Sequence, residues 1–244
     1  MAEPTGTVQS LTVWPVKSMS GGTTVDAVWA DVQGLAGDRA HAFVDQRPMR
    51  AGHVVSARNV PGLLRWSAAY ERTPGDGDVP VPVVTGPDGV QRPWDDPALA
   101  DAVSEDVGVP LQPAPAGRYW DLDDSVLVTT QATHDGVEQL FGRPLEQGRW
   151  RTNVHLSLDA PAFAEHGWEG GRLHVGDVVL RLLHPCKRCT IPTWAPGGRE
   201  RTPELLAWFH KEHAGRFGIN ARVERAGVLR ADAEVRVEPP AGDG

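Results

Sequence analysis

The sequence predicts a mainly β protein with a few short helices, and three observations carry that expectation. Short apolar runs over residues 9–45 are separated by Gly-rich turns at 20–22 and 34–37, a spacing typical of barrels and sandwiches. Gly176-Asp177 forms a two-residue loop between two alternating runs, as a tight hairpin requires. Only three segments carry helix caps at both ends.

The elements follow in order. Residues 9–16, 23–29 and 41–45 read as strands, and no internal repeat links them. Residues 73–89 are crowded with Pro, Gly and Asp, which predicts a loop with a Pro-rich edge strand over 79–84. Asp96 and Pro97 supply an N-cap and a first-turn proline before Leu99, Ala102, Val103 and Val107, and Gly108 closes that helix. A second helix spans 133–141, with Val137, Leu140 and Phe141 on one face and Gly142 as its C-cap. Thr202-Pro203 opens a third through Leu205, Leu206, Trp208 and Phe209, ending near Gly215. Between the last two, residues 172–175 and 178–183 form the hairpin. Val178, Leu180 and Leu182 share its core face, and Pro185 is expected to end the strand. Residues 186–189 then lie on a loop leaving a rigid strand, a sound mount for a ligand.

The chain has 244 residues, 40% of them apolar and 23% charged, which suits one large β domain or two small ones sharing a core. A formal net charge of −8 disfavours nucleic acid and anionic membrane as partners. Lysine occurs only at positions 17, 187 and 211, so Arg supplies most of the positive charge. The segment Met1-Ala2-Glu3-Pro4-Thr5-Gly6 lacks the basic and apolar regions of a secretory signal, and no apolar stretch is long enough to span a bilayer. The expected compartment is the cytoplasm. In that reducing setting two cysteines are more often metal ligands or catalysts than a structural disulfide.

Those two cysteines form Cys186-Lys187-Arg188-Cys189. A thiol beside a cation and just past a strand is well placed to be a thiolate, which binds soft metals or does redox work. A structural zinc site needs four ligands, and His210 and His213 are the remaining candidates. A thioredoxin-type pair wants a following helix, whereas Pro192, Pro196 and Gly197-Gly198 follow here. Both thiols are also plausible as small buried hydrophobes, the reading that spacing alone favours.

Five clusters sit in loops beside strands: Pro15-Val16-Lys17-Ser18, Gly37-Asp38-Arg39, Ser56-Ala57-Arg58, Thr129-Thr130-Gln131-Ala132-Thr133 and Arg149-Trp150-Arg151-Thr152-Asn153. Each alone is an ordinary solvated loop; together they offer donors for an anion with several oxygens. No glycine-rich phosphate loop is present, so the usual nucleotide folds are not indicated.

The order of motifs carries a family resemblance. Trp14-Pro15-Val16-Lys17-Ser18, Gly34-Leu35-Ala36-Gly37-Asp38-Arg39, Ser56-Ala57-Arg58-Asn59-Val60-Pro61, Arg149-Trp150-Arg151-Thr152-Asn153, Gly176-Asp177 and Cys186-Lys187-Arg188-Cys189 resemble MOSC proteins with an N-terminal β-barrel extension. That group is related to the C-terminal domain of molybdenum cofactor sulfurases and includes the mitochondrial amidoxime-reducing component and its bacterial relatives. The resemblance covers residues 7–237. It implies a β-barrel MOSC core with a smaller N-terminal β-barrel-like subdomain, divided as 7–95 and 96–240.

The resemblance also implies a molybdenum enzyme. By it, Cys189 is the metal ligand and the catalytic thiolate, beside the dithiolene of a molybdopterin-type molybdenum cofactor, with Arg188 favouring its deprotonated form. Cys186 is then a neighbour rather than a ligand. Lys17, Ser18, Arg39, Arg151 and Asn153 match cofactor contacts, Thr130 and Thr133 fall in a segment that often carries serines, and Arg58 either helps close the site or serves its own loop. The implied activity is reduction of N-hydroxylated or N-oxide compounds. No cysteine follows Cys189 to hold an iron–sulfur cluster, so electrons are expected from a separate redox partner protein. The alternative is a carrier of molybdenum cofactor or of sulfur, without reductase turnover. Two departures bear on substrate: Ala195 stands where relatives carry Asp, and Ala231-Asp232 lacks the glycine of their hairpin turn. Trp14, Trp150, Trp168 and Trp194 are able to shape an apolar mouth, although Trp more often packs in a core.

Overall fold

A computed structural model describes residues 3–115 and 126–240; Met1 and Ala2 of the N-terminal segment lie outside it. Seven strands close into a barrel: β1 (Thr5–Val13), β2 (Val126–Thr130), β3 (Val154–Leu158), β4 (Arg172–Val175), β5 (Val178–Lys187), β6 (Arg216–Arg225) and β7 (Glu234–Glu238). Their order is β3-β2-β6-β5-β4-β7-β1, and β1 pairs back onto β3 to complete the ring. Every pair is antiparallel except β2–β3. A parallel pair needs a crossover, and helix α2 (Gln131–Phe141) makes it. The return leg of that crossover is the segment 149–153.

Alternation along the strands fills the interior. Val8, Leu11, Val126, Val128, Val154, Leu156, Leu173, Leu180, Leu182, Ile219 and Ala221 form one core. Leu127 and Asn220 alternate with these residues and pair with each other, so their side chains stand on the outer face of the barrel. Gly218 in β6 has φ +70°, and a Cβ there would come within 2.7 Å of the Val128 carbonyl oxygen. Only glycine permits that approach of β6 to β2.

A smaller unit packs around Val16, Met19, Phe43, Leu63, Trp66, Val84, Trp94, Leu99, Val103 and Leu111. Helix α1 (Pro97–Val107) belongs to it, held by the expected caps: Asp96 Oδ1 accepts from Ala98 N at 2.8 Å, and Gly108 adopts φ 68°. Val8, Leu11, Val13, Val25, Val28, Ala30 and Leu35, by contrast, contribute to the barrel core. Apolar packing therefore crosses residue 95 in both directions. A third cluster joins Val137 of α2, Trp150 and Phe217 to Leu205 and Phe209 of α3 (Glu204–His213). No helix among the described residues is long and apolar enough to cross a membrane.

Three local expectations need correction. The edge strand expected at 79–84 is reduced to Val83–Thr85, because Pro80 and Pro82 have no N–H for a ladder. Pro185 does not end its strand: β5 runs on to Lys187, with Pro185 opposite Ile219 and register shifts on both sides of it. The irregular pairing spares the ladder the missing donor. Helix α2 begins at Gln131 rather than 133, since Thr130 is its N-cap.

Candidate functional site

The backbone that carries the site residues is unusual. Among the described non-glycine residues six have positive φ, and three of them are Ser18 (69°), Arg39 (46°) and Arg151 (55°). Such conformations cost about 1–3 kcal/mol each and persist only where surrounding bonds fix them. The bonds are present. Arg39 N donates to Trp14 O at 2.6 Å, and Ser18 Oγ accepts from Ala57 N at 3.0 Å. Tyr70 donates its hydroxyl to Gly37 O at 2.8 Å, and burial pushes its phenol upward.

Asp38 is the hub beneath these turns. Its Oδ1 accepts from Trp14 N at 2.8 Å and Asn153 Nδ2 at 3.0 Å, and its Oδ2 from Arg39 Nη1. Asn153 Oδ1 accepts in turn from Arg39 Nη1 at 2.9 Å and Leu127 N at 3.1 Å. Asp38, Arg39 and Asn153 are 3%, 6% and 1% exposed, so the Asp38–Arg39 charge pair is buried, with both terminal nitrogens of Arg39 hydrogen-bonded and its Nε without an acceptor among the described residues. Arg151 donates to the carbonyls of Met19 and Val16 and lies over the Trp14 ring at 4.5 Å.

Above this platform lies a cleft of about 180 Å³ between the outer barrel face and the smaller unit. Lys17, Ser18, Arg39, Arg58, Arg151, Arg188 and both cysteines line it, with Leu127 and Asn220 as its barrel wall. The sequence therefore placed Lys17, Ser18, Arg39, Arg151, Arg188 and Cys189 in a common site. Asn153 sits behind the wall and orients Arg39. Leu127 and Asn220 carried no signal: their role follows only from which face of the barrel they occupy.

Arg188 lines the same cleft as Cys189, and its hydrogen bonds run to other partners. Its Nη1 donates to Cys186 Sγ at 3.2 Å and its Nη2 to Trp150 O at 2.9 Å; no hydrogen bond to Cys189 occurs among the described residues. Both cysteines are free thiols and partly exposed. The remaining nitrogen, Arg188 Nε, is buried without an acceptor.

Thr130 and Thr133 lie elsewhere. Thr130 Oγ1 accepts from Thr133 N at 3.2 Å as the cap of α2. Thr133 Oγ1 donates to Glu165 Oε2 at 2.7 Å and accepts from Phe163 N at 2.7 Å, fully buried. Burial holds the Glu165 carboxyl above its ordinary pKa. Nor does a zinc set assemble from the cysteines with His210 and His213. His213 stacks on Phe163 at 4.0 Å, and the metal-type group found among the described residues is His134, Asp135 and Glu138. That group is internally engaged: His134 Nε2 lies 2.9 Å from Leu145 O, and Glu138 Oε1 accepts from Leu145 N at 2.6 Å. Among the tryptophans, Trp150 lines the cleft, Trp14 supports Arg151, Trp168 packs in the barrel core and Trp194 lies beneath Arg201.

Comparison with known proteins adds the family. The MOSC domain matches residues 105–236, and the MOSC N-terminal beta barrel domain matches residues 5–89. Curated protein sequences gave no match. Among solved structures, the YuaD protein from Bacillus subtilis is similar over 99% of this chain and 100% of its own, at 15% identity and a TM-score of 0.53. YiiM from Geobacillus stearothermophilus covers 46% of this chain and 53% of its own, at 18% identity and a TM-score of 0.36. YuaD thus shares the overall fold. With the domain match alone spanning more than half of its length, the chain belongs to the MOSC domain family, in the form that carries a MOSC N-terminal β-barrel domain.

Proposed function

We propose that the protein is a cytoplasmic oxidoreductase that uses a molybdopterin-type molybdenum cofactor to reduce N-hydroxylated or N-oxide compounds. The observation that carries this reading is the composition of one cleft: Cys189 shares it with Lys17, Ser18, Arg39, Arg151 and Arg188, and among the described residues no carboxylate lines it. That donor set fits the group. A thiolate is a soft ligand for the metal, and fixed guanidinium groups suit a phosphate and the polar edges of a pterin. Arg188 Nε, buried without an acceptor, is a further donor beside the thiols.

When bound, the cofactor supplies two-electron chemistry that breaks the N–O bond of the substrate. Two electrons and two protons enter; an N-hydroxylated compound would give the N–H compound and water, and an N-oxide the parent amine and water. The protein's own part is positional. Cys189 holds the metal, Arg39 and Arg151 are kept in direction by Asp38, Asn153 and the carbonyls of Val16 and Met19, and Lys17 and Ser18 complete the anion-binding wall. Electrons come from a separate redox partner protein; nucleic acid and membrane have no part. Protein purified from a molybdopterin-competent host is expected to carry near-stoichiometric molybdenum and to reduce an amidoxime with an artificial electron donor. Absence of the metal, or its retention in Cys189→Ala, overturns the reading.

One observation favours a second reading. Cys186 Sγ accepts a hydrogen bond from Arg188 Nη1 at 3.2 Å, so a second sulfur with a fixed donor lines the cleft at a position that need not bind metal. A sulfur or cofactor carrier would use such a thiol. Persulfide on Cys186 detected by mass spectrometry, together with no turnover, would select the carrier.

A further inference from the structure

The cleft is lined by six cations, Lys17, Arg39, Arg58, Arg151, Lys187 and Arg188, in a chain whose net charge is −8. They fall into groups. Arg39, Arg151 and Arg188 point where protein acceptors direct them, toward Asp38, Asn153, backbone carbonyls and Cys186. Arg58 and Lys187 are exposed at the rim, and among the described residues neither side chain has a hydrogen bond or ion pair.

Their backbones are nevertheless fixed. Arg58 sits in a turn where Ser56 O accepts from Val60 N at 2.9 Å, and Ala57 N ties the turn to Ser18 Oγ at 3.0 Å. Lys187 ends β5, opposite Arg216 of β6. Two charged groups on fixed mounts, above a concave wall that has no carboxylate among the described residues, concentrate positive potential at the cleft mouth. Lys17 and Ser18 line the same cleft, and the two rim cations have no anionic partner among the described residues.

We propose that Arg58 and Lys187 select the substrate: an N-oxygenated small molecule that also bears a carboxylate or phosphate, its N–O group toward Cys189 and its anion toward the rim. The inference rests on the reductase reading of the cleft. A small molecule fits better than an acidic protein, because the cations converge on a cleft of about 180 Å³ rather than on a flat patch.

The test compares a neutral aryl amidoxime with its para-carboxylated analogue, using cofactor-loaded wild-type protein and the Arg58→Ala/Lys187→Ala variant. Wild-type kcat/KM is expected to favour the carboxylated compound by about tenfold at low salt, less as salt rises. The variant loses that preference through KM, while molybdenum content stays at the wild-type level. Equal kcat/KM for both compounds in the wild type, or equal losses on both in the variant, overturns the proposal. So does loss of molybdenum, which would make these cations cofactor contacts, or a raised KM for the physiological electron donor, which would make them a protein docking site. Calorimetric binding of the carboxylated amidoxime separates the two levels. Binding that depends on Arg58 and Lys187 without turnover sinks the reductase reading alone; turnover with binding unchanged in the variant sinks this inference alone.

Discussion

Arg188 reaches back to Cys186, its Nη1 3.2 Å from that Sγ, and not forward to Cys189. The two thiols of one short motif are thereby made chemically unequal. Cys186 has a fixed cationic donor, while Cys189 Sγ has no hydrogen-bond partner among the described residues. The same guanidinium holds Trp150 O at 2.9 Å, tying the cysteine motif to the segment that carries Arg151.

Substitution should therefore separate the pair. Cys189→Ala is expected to abolish molybdenum binding, and Cys186→Ala to keep most of it. Arg188→Ala, which releases both Cys186 and the Trp150 carbonyl, should weaken metal retention by about tenfold, the lower end of what loss of a supporting contact does. Metal content after dialysis against a chelator measures all three. Equal loss in the two cysteine variants would contradict the assignment.

Asp38 is the residue whose removal should cost most in stability. It neutralises Arg39 and accepts from Trp14 N and Asn153 Nδ2 in a buried setting. Breaking a buried ion pair at one partner costs about 3–5 kcal/mol, since the other charge stays buried and uncompensated. Asp38→Ala should lower the urea unfolding free energy by that amount, and Asp38→Asn by less, because the amide oxygen still accepts. A cost below about 1 kcal/mol, the range of exposed pairs, would show that the cluster is not structural.

How much of this was legible in sequence depends on the range of the interactions. Helix α1 was readable because Asp96, Pro97 and Gly108 act on their own neighbours, and the β4–β5 turn because Gly176-Asp177 does the same. Barrel closure was not: β1 pairs with β3 across the whole intervening chain, and the register rests on packing that no local pattern records. Within the site, Lys17, Arg39 and Arg151 are visible through their motifs, whereas Asp38 enters only as a member of the motif that holds Arg39. Its importance lies in partners at positions 14, 39 and 153. Thr130, expected among the cofactor contacts, is the N-cap of α2, the commoner use of a hydroxyl between a strand and a helix.

Acid should destabilise the fold before its carboxylates titrate. Burial, with His134 nearby, pushes His155 from 6.5 down to about 4, and burial does the same to His41. Between those values the unfolded chain binds protons that the folded chain does not. Stability is thus fully present above the unfolded value of 6.5 and lost as pH falls toward about 4. His155 alone is expected to contribute about 1–3 kcal/mol across the window. Thermal melts from pH 7 to pH 4.5 should show a falling Tm, with a shallower slope in His155→Gln. A Tm unchanged across this range would refute the prediction.

Gly218 makes a sharper demand than any other position in β6. Its φ of +70° is disfavoured for every L-residue, and a Cβ would meet Val128 O at 2.7 Å and Thr129 Cγ2 at 2.8 Å. Two of those three restraints belong to β2, whose Leu127 is a wall of the cleft and whose amide donates to Asn153. Gly218→Ala is expected to cost about 2 kcal/mol or more in unfolding free energy, from strain plus the forced retreat of backbone. The same retreat would shift Leu127 and, through Asn153, Arg39. The variant should therefore lose cofactor affinity as well as stability, in contrast to Gly142→Ala, where a Cβ meets nothing within 4 Å although φ is +85°. Similar cofactor affinity in the two variants would mean that β2 can move without disturbing the anion-binding wall.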